Sequence, residues 1–152
     1  MKKSFWIRLM SFYPPYLGAG IRLRYVASDF REIRVELGLH WWNRNYVGTQ
    51  FGGSLYSMVD PFFMLMVMEN LGRDYIVWDK AATIRFKRPG RGRVIANFQI
   101  TEEQLQSLRS EVALQGKSNP VFTVLILDES GERIAEVEKT LSVKKKGDRM
   151  SV

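Results

Sequence analysis

Hydrophobic and polar positions alternate in two early segments of the chain. Ile21, Leu23 and Tyr25 are interleaved with Arg22 and Arg24, and Ile33, Val35, Leu37 and Leu39 with Arg34, Glu36 and Gly38. A period of two belongs to a strand buried on one face, so both segments read as half-buried strands joined antiparallel through Ser28-Asp29-Phe30-Arg31. The period changes at Gly52. From there to Leu71, apolar residues occupy nearly every helical face (Leu55, Met58, Val59, Phe62, Phe63, Leu65, Met66, Met68), which predicts a long helix surrounded by protein and stopped by Gly72. Pro61 removes a helical N–H and crowds the carbonyl of Ser57, so a bend is expected near Asp60.

Further on, Ala82, Ile84 and Phe86 alternate with Thr83, Arg85 and Lys87, and Val94, Ala96, Phe98 and Ile100 alternate again after Pro89-Gly90-Arg91-Gly92. This pattern predicts a β-hairpin or a longer-looped relative. Thr101-Glu102-Glu103-Gln104 is a capping-box pattern that opens a surface helix closed by Gly116. Val121 to Leu127 is apolar at almost every position and reads as a central strand, turned by Asp128-Glu129-Ser130-Gly131 into a last strand through Ala135, Val137, Leu141 and Val143. At the start, Met1 to Arg8 suggests a short amphipathic helix that Pro14-Pro15 stop, and the tail from Lys144 is basic and frayed. The sum is an α+β chain, expected to be one domain over 1–152, with a helix and loop at 1–20 and a basic tail at 144–152.

Composition narrows the function classes. Hydrophobic residues make up 45% of the 152 positions, enough for a sizeable core, and the net charge of +7 favours anionic partners. With no cysteine, disulfides, thiol catalysis and Cys-ligated metal are excluded. A single histidine excludes an all-His metal site within one chain, and no metal is expected. Arg8 interrupts the opening apolar stretch before it reaches export-signal length, and the longest strongly apolar run, Phe62 to Met68, falls far short of the roughly 20 residues that span a bilayer. The expectation is a cytoplasmic protein with no membrane partner. No helix-turn-helix, zinc or RNA-motif pattern accompanies the basic charge, so nucleic acid is not an expected partner.

The candidate chemistry gathers at the head of the long apolar segment. Gly52 and Gly53 open it, and glycine at a helix start lets a ligand approach unpaired backbone N–H groups and the positive end of the dipole. Asp60 follows on an otherwise apolar surface, where an unpaired carboxylate is costly to bury. Asn45 upstream can donate and accept at once, which suits holding a water or a carbonyl.

Taken together, Asn45, Gly48, Phe51-Gly52-Gly53 and Asp60 resemble the hotdog-fold acyl-CoA thioesterases of the phenylacetate-pathway type. The wider run of Pro15-Tyr16-Leu17-Gly18-Ala19-Gly20, Asn43-Arg44-Asn45-Tyr46-Val47-Gly48-Thr49, Asp60-Pro61-Phe62-Phe63 and Trp78-Asp79-Lys80-Ala81 is similar to a bacterial branch of that superfamily without an assigned function. The resemblance implies a hotdog fold, in which a curved antiparallel sheet wraps a long central helix. It also implies self-association as a dimer or tetramer, with sites between subunits and pairing through the strand after the helix. In those thioesterases a His-Gly-Gly triplet precedes the helix, and the first glycine's N–H polarises the thioester carbonyl. An Asn or Gln six positions before the His orients water or substrate, and an acid nine positions after it attacks or activates water. Those roles fall on Gly52, Asn45 and Asp60, while the His position is Phe51.

The implied substrate is an acyl-CoA or related acyl thioester, with coenzyme A as part of the substrate and no separate cofactor. Phe51, Gly53, Tyr56, Asp79 and Lys80 are the implied substrate neighbours, and Lys87, Arg88 and Arg91 are the basic residues suited to its phosphates. The loss of the histidine leaves a second possibility, a non-catalytic acyl-ligand binding or sensor protein on the same fold. Plainer roles stand beside each assignment: Asp60 bonded to a backbone amide or an interface arginine, the glycines as close packing, Asn45 as a loop cap, and the basic cluster as a solvated hairpin tip.

Overall fold

The two alternating segments form β1 (Ile21–Val26) and β2 (Glu32–Leu37), paired antiparallel with Ile21 opposite Leu37. The computed structural model describes Ile7 and residues 9–147. The expected N-terminal helix over Met1 to Arg8 therefore lies outside the described residues apart from Ile7, as does the end of the basic tail from 148 onward. A 3-10 turn, Leu9–Phe12, leads into α1 (Pro14–Ala19). Pro14-Pro15 begin this helix rather than ending one, because in a first turn the missing N–H has no intrahelical acceptor to lose.

The remaining strands are β3 (Tyr75–Phe86), β4 (Val94–Gln99), the short β5 (Lys117–Ser118), β6 (Val121–Asp128) and β7 (Arg133–Lys145). They complete a seven-stranded sheet of order β1-β2-β4-β6-β7-β3, with β5 pairing β7. All pairings are antiparallel. The expected hairpin between the segments ending at Phe86 and starting at Val94 is not formed. Among the described residues β3 is an edge strand paired only with β7, from Tyr75 opposite Lys145 to Phe86 opposite Ala135, while β4 lies between β2 and β6. Backbone bonds explain the divergence: the N–H groups of Lys87 and Arg88 both donate to the Ile134 carbonyl on β7, and the Gly90 carbonyl accepts from Gln50. The chain is thus held to β7 before it crosses to the far side of β6. The tail is also more ordered than expected, since β7 runs through Lys145 and Lys146 N–H donates to the Asp74 carbonyl.

The long apolar segment is interrupted. α2 (Gly52–Ser57) stops, a turn covers 58–61, and α3 (Phe62–Leu71) restarts with Pro61 at its N-cap and Gly72 at its end. This is the bend that Pro61 predicts, carried as far as a break. α3 buries Phe62, Phe63, Met66 and Val67 against the sheet, where the Phe63 ring lies 5.1 Å from Phe98 and 5.0 Å from Phe122. Its opposite face is only half covered and Met68 is exposed, so within one chain the helix is not enclosed on all sides. α4 (Glu102–Gln115) carries the expected capping box: Gln104 N–H donates to Thr101 Oγ1 at 3.1 Å, and Thr101 N–H donates to Gln104 Oε1 at 2.8 Å. Gly116 closes it in the left-handed region at φ 76°.

Candidate active site

The break between α2 and α3 sets Asp60 at the end of a turn, four residues beyond Tyr56, which is the spacing at which helical neighbours touch. The Tyr56 hydroxyl donates to Asp60 Oδ1 at 2.9 Å. Lys139 reaches the same atom from β7: its Nζ lies 3.0 Å from Asp60 Oδ1, 3.0 Å from the Tyr56 hydroxyl and 3.0 Å from Asp79 Oδ1 on β3. It also sits over the Tyr56 ring, 5.2 Å from the centroid. The lysine side chain is 1% exposed and the Asp60 side chain 51% exposed, so a buried ammonium anchors a carboxylate that still faces outward. Burial alone would lower the Lys139 pKa, but its hydrogen bonds to Tyr56, Asp79 and Asp60 outweigh that effect and hold it above the ordinary lysine range. Burial likewise raises the Tyr56 hydroxyl, against the opposing pull of Lys139.

Two carboxylates share one ammonium here, which leaves the cluster with a net negative charge. Asp60 Oδ1 is fully engaged, whereas Oδ2 makes no hydrogen bond among the described residues. Asp60 lines a cleft of about 450 Å³ between the N-terminal segment and the α2–α3 break, together with Tyr13, Tyr16, Tyr56 and Pro61 among others.

The glycine pair lies at a second cleft, of about 370 Å³, lined by Asn45, Gln50, Gly52, Phe86, Lys87 and Arg88 among others. Gly52 and Gly53 each lie against the tip of an exposed phenylalanine ring. A Cβ on Gly52 would stand 3.1 Å from the Phe86 ring, and one on Gly53 would stand 2.5 Å from the Phe51 ring. Phe51 itself is the extended N-cap residue, exposed and without a side-chain cap. The N–H groups of Gly52 and Gly53 find no acceptor among the described residues. Asn45 is tied into its own loop: its Oδ1 accepts from Thr49 N–H at 2.9 Å and Val47 N–H at 3.2 Å, and its Nδ2 donates to Thr49 Oγ1 at 2.9 Å.

The structure therefore brings Asn45, Gly52, Lys87 and Arg88 to one cleft and Tyr56 and Asp60 to another, with Asp79 joined to the second through Lys139. The clefts share no lining residue. Lys80, at a bulge in β3, points instead to Asn119 Oδ1 at 3.3 Å, and Arg91 is exposed without lining either cleft. Arg88 pairs with Glu132 at 2.9 Å. Sequence reasoning missed Lys139, although the alternation Ala135, Val137, Leu141, Val143 places position 139 on the same inward face. It also missed Gln50, a buried side chain whose Nε2 donates to the Leu37 and Gly92 carbonyls while its Oε1 has no partner among the described residues. Among the described residues no group of three or more His, Asp or Glu could hold a metal ion, and no helix is long and apolar enough to cross a membrane.

Comparison with known proteins follows the same lines. A family model described as "Domain of unknown function (DUF4442)" matches residues 2–143. No curated protein matches the chain. Among solved structures, the chain is similar to a Pseudomonas aeruginosa protein of unknown function described as a probable thioesterase, with TM-score 0.80 and 19% identity over 93% of this chain and 95% of that one. A Haemophilus influenzae thioesterase gives TM-score 0.68 at 15% identity over 94% and 91%. The Escherichia coli PaaI protein of the phenylacetic acid degradation operon gives 0.63 at 18% identity over 96% of both chains.

Proposed function

The chain belongs to the family described as Domain of unknown function (DUF4442) and has the hotdog fold of thioesterase-like proteins, and from that premise we propose that it hydrolyses an acyl thioester such as an acyl-CoA. The observation that carries the reading is Asp60, which lines a cleft and is fixed through Oδ1 by Tyr56 and Lys139, with Oδ2 free of hydrogen bonds among the described residues. In the proposed reaction Asp60 takes a proton from water as the water oxygen bonds to the thioester carbonyl carbon. The carbonyl oxygen becomes an oxyanion, which the Gly52 N–H receives. When the oxyanion collapses, the carbon–sulfur bond breaks, and the thiolate leaves and takes the proton from Asp60. The alternative use of Asp60 as a nucleophile needs the same free oxygen.

Because the Gly52 and Asp60 clefts are separate within one chain, this chemistry calls for two chains, each supplying one cleft to a site between subunits. Lys87 and Arg88 beside Gly52 would meet the phosphates of coenzyme A, with Arg88 exchanging Glu132 for the ligand. Asn45, already bonded within its loop, would shape the glycine cleft and orient the ligand through the loop it holds. Thiol release from a panel of acyl-CoAs tests the reading: Asp60→Asn should lower kcat by about 100-fold or more, and equal turnover by both proteins would sink it.

One observation favours a second reading. Phe51 places an exposed apolar ring where related enzymes carry a polar one, which suits a protein that binds an acyl ligand without cleaving it. Tight acyl-CoA binding with no thiol release by the wild-type protein would select that reading.

A further inference from the structure

Two tryptophans stand side by side in solvent on the turn that follows β2. Trp41 is 79% exposed and Trp42 53%, and their rings meet edge to face at 5.8 Å. Single exposed apolar side chains are ordinary, but the turn that carries these two is pinned rather than loose. The buried Asn43 side chain accepts from His40 N–H at 2.7 Å through Oδ1, and its Nδ2 donates to the Ala19 and Gly38 carbonyls, both at 2.8 Å. The His40 ring then stacks on Trp42, with centroids 4.3 Å apart and planes 2° from parallel. The chain thus fixes two large apolar rings in water and gains little burial from them. Beside them, His40 also lines a small pocket of about 140 Å³, together with Arg22 and Arg24 on β1, Glu36 on β2 and Arg93 before β4. Three guanidinium groups share that pocket with one carboxylate. Arg24 pairs with Glu36 at 2.6 Å, and Arg93 lies 3.9 Å from Glu36 and 3.6 Å from Glu129, while Arg22 makes no ion pair among the described residues. Surplus guanidinium donors around a cavity of that size suit one phosphate group.

We propose that this patch docks the protein on an anionic phospholipid surface, with a lipid phosphate in the arginine pocket and Trp41 and Trp42 in the headgroup layer. Tryptophan suits such an interface because its ring is apolar while its N–H still finds a partner. Guanidinium groups near the surface add attraction to a negative leaflet, and the net charge of +7 acts the same way at longer range. Docking of this kind needs no helix that crosses the membrane. Nucleic acid offers the same phosphates and fits less well. His40 already covers one face of Trp42 and Trp41 stands at 85° to it, so the rings make no stack for successive bases, and the guanidinium groups gather in one pocket rather than along a groove. The patch lies by β1 and β2, at the opposite end of the strand order from β3, so a second copy that extends the sheet through β3 adds its strands at the far side. A second copy meeting the patch with its own patch would set arginine against arginine. The docking goes beyond the chemistry of the Asp60 and Gly52 clefts and holds whether or not they cleave a thioester.

Co-sedimentation of the full chain with vesicles of phosphatidylcholine, alone or mixed in equal parts with phosphatidylglycerol, tests the docking, with tryptophan emission as a second readout. Wild type should pellet with the mixed vesicles and not with phosphatidylcholine alone, its emission should shift to the blue, and salt should weaken the binding. Arg22→Gln and Arg93→Gln should each lower the partition coefficient about 5-fold. Trp41→Ser should lower it about 10-fold or more, with a smaller emission shift. All three side chains are exposed, so Tm should hold in each variant. No pelleting by wild type overturns the proposal. So does pelleting that all three variants match, which would place the attraction elsewhere in the basic charge. Displacement by soluble glycerol phosphate at matched phosphate concentration overturns it in favour of a free anion, and tighter binding of an oligothymidylate, weakened in the same variants, in favour of nucleic acid. A particle mass in vesicle-free solution that falls on Trp41→Ser would show instead that a second copy covers the patch.

Discussion

Lys139 shows how a charge can sit in a core strand. Its ammonium is buried, and its partners Asp60 and Asp79 reach it from different elements. Either carboxylate alone still compensates the charge, and Asp60 is half in water, so Asp60→Asn and Asp79→Asn should each destabilise the protein by about 1 kcal/mol or less. Replacing both leaves a buried ammonium without a counter-charge, and the loss should exceed the sum of the singles, reaching about 3–5 kcal/mol. Guanidinium unfolding of the three variants checks this, and simple additivity would show that Lys139 reaches water. The same residue sets a pH dependence. Its raised native pKa means that the folded chain binds this proton more tightly than the unfolded chain. The stability it confers is present in full below the unfolded lysine value of about 10.4 and is lost as pH rises through the native value. Tyr16 acts in the same direction, because the unfolded phenol ionises above about pH 10 while the buried one does not. Urea midpoints should therefore fall from about pH 10 to 12, less steeply in Tyr16→Phe and in Lys139→Met. Asp60 was legible in the sequence as a lone acid among apolar residues. Lys139 was not, because a lysine between Glu138 and Thr140 reads as one of a run of solvated side chains unless the strand's alternation is followed through it.

At the level of elements, the break at Pro61 does what a continuous helix would not. With no N–H at position 61, the turn over 58–61 ends α2 and presents Asp60 beside Tyr56 at the mouth of a cleft. Pro61→Ala permits the helix to close through Asp60, so kcat should fall at least 10-fold, about 1.4 kcal/mol of activation energy. Because the core face of α3 is kept, stability should change by no more than about 1 kcal/mol. Thermal melts and thiol release from one preparation separate the two effects. Thr101→Ala is the converse case: it removes the side-chain half of the α4 cap and should cost about 1 kcal/mol of stability with turnover unaltered. The capping box, the half-buried strands and the proline bend could all be read from local pattern, since each is decided within a few residues. The fate of the segment after Phe86 could not, because it depends on carbonyls contributed by Ile134 and on Gln50, both far along the chain. Short loops rich in glycine and proline predict a hairpin locally, and only the long-range bonds decide against it.

At the scale of the whole molecule, one edge of the sheet stands open. Among the described residues β3, from Tyr75 to Phe86, has a neighbour on one side only, and it displays Trp78 at 67% and Phe86 at 57% exposure. A strand of that length with unpaired backbone groups and large apolar side chains suits pairing with a second copy, since a monomer would normally guard such an edge with charges, a bulge or a covering element. The single bulge at Lys80 and the charges of Lys80 and Arg85 are the guards β3 carries. The half-covered outer face of α3 points the same way, as does the separation of the Gly52 and Asp60 clefts. Three independent features of one chain are thus incomplete, and a second copy would complete each. Sedimentation equilibrium should accordingly give twice or four times the chain mass of 17.7 kDa. The double substitution Ile76→Lys and Trp78→Lys sets like charges on that edge and should shift the protein to the monomer. The β3–β7 register and the Lys139 cluster lie within one chain, so the fold should persist by circular dichroism. If Gly52 of one chain works with Asp60 of another, the monomer should lose acyl-CoA turnover almost entirely. Full turnover by a folded monomer would instead place the whole reaction within one chain and remove the need for a site between subunits.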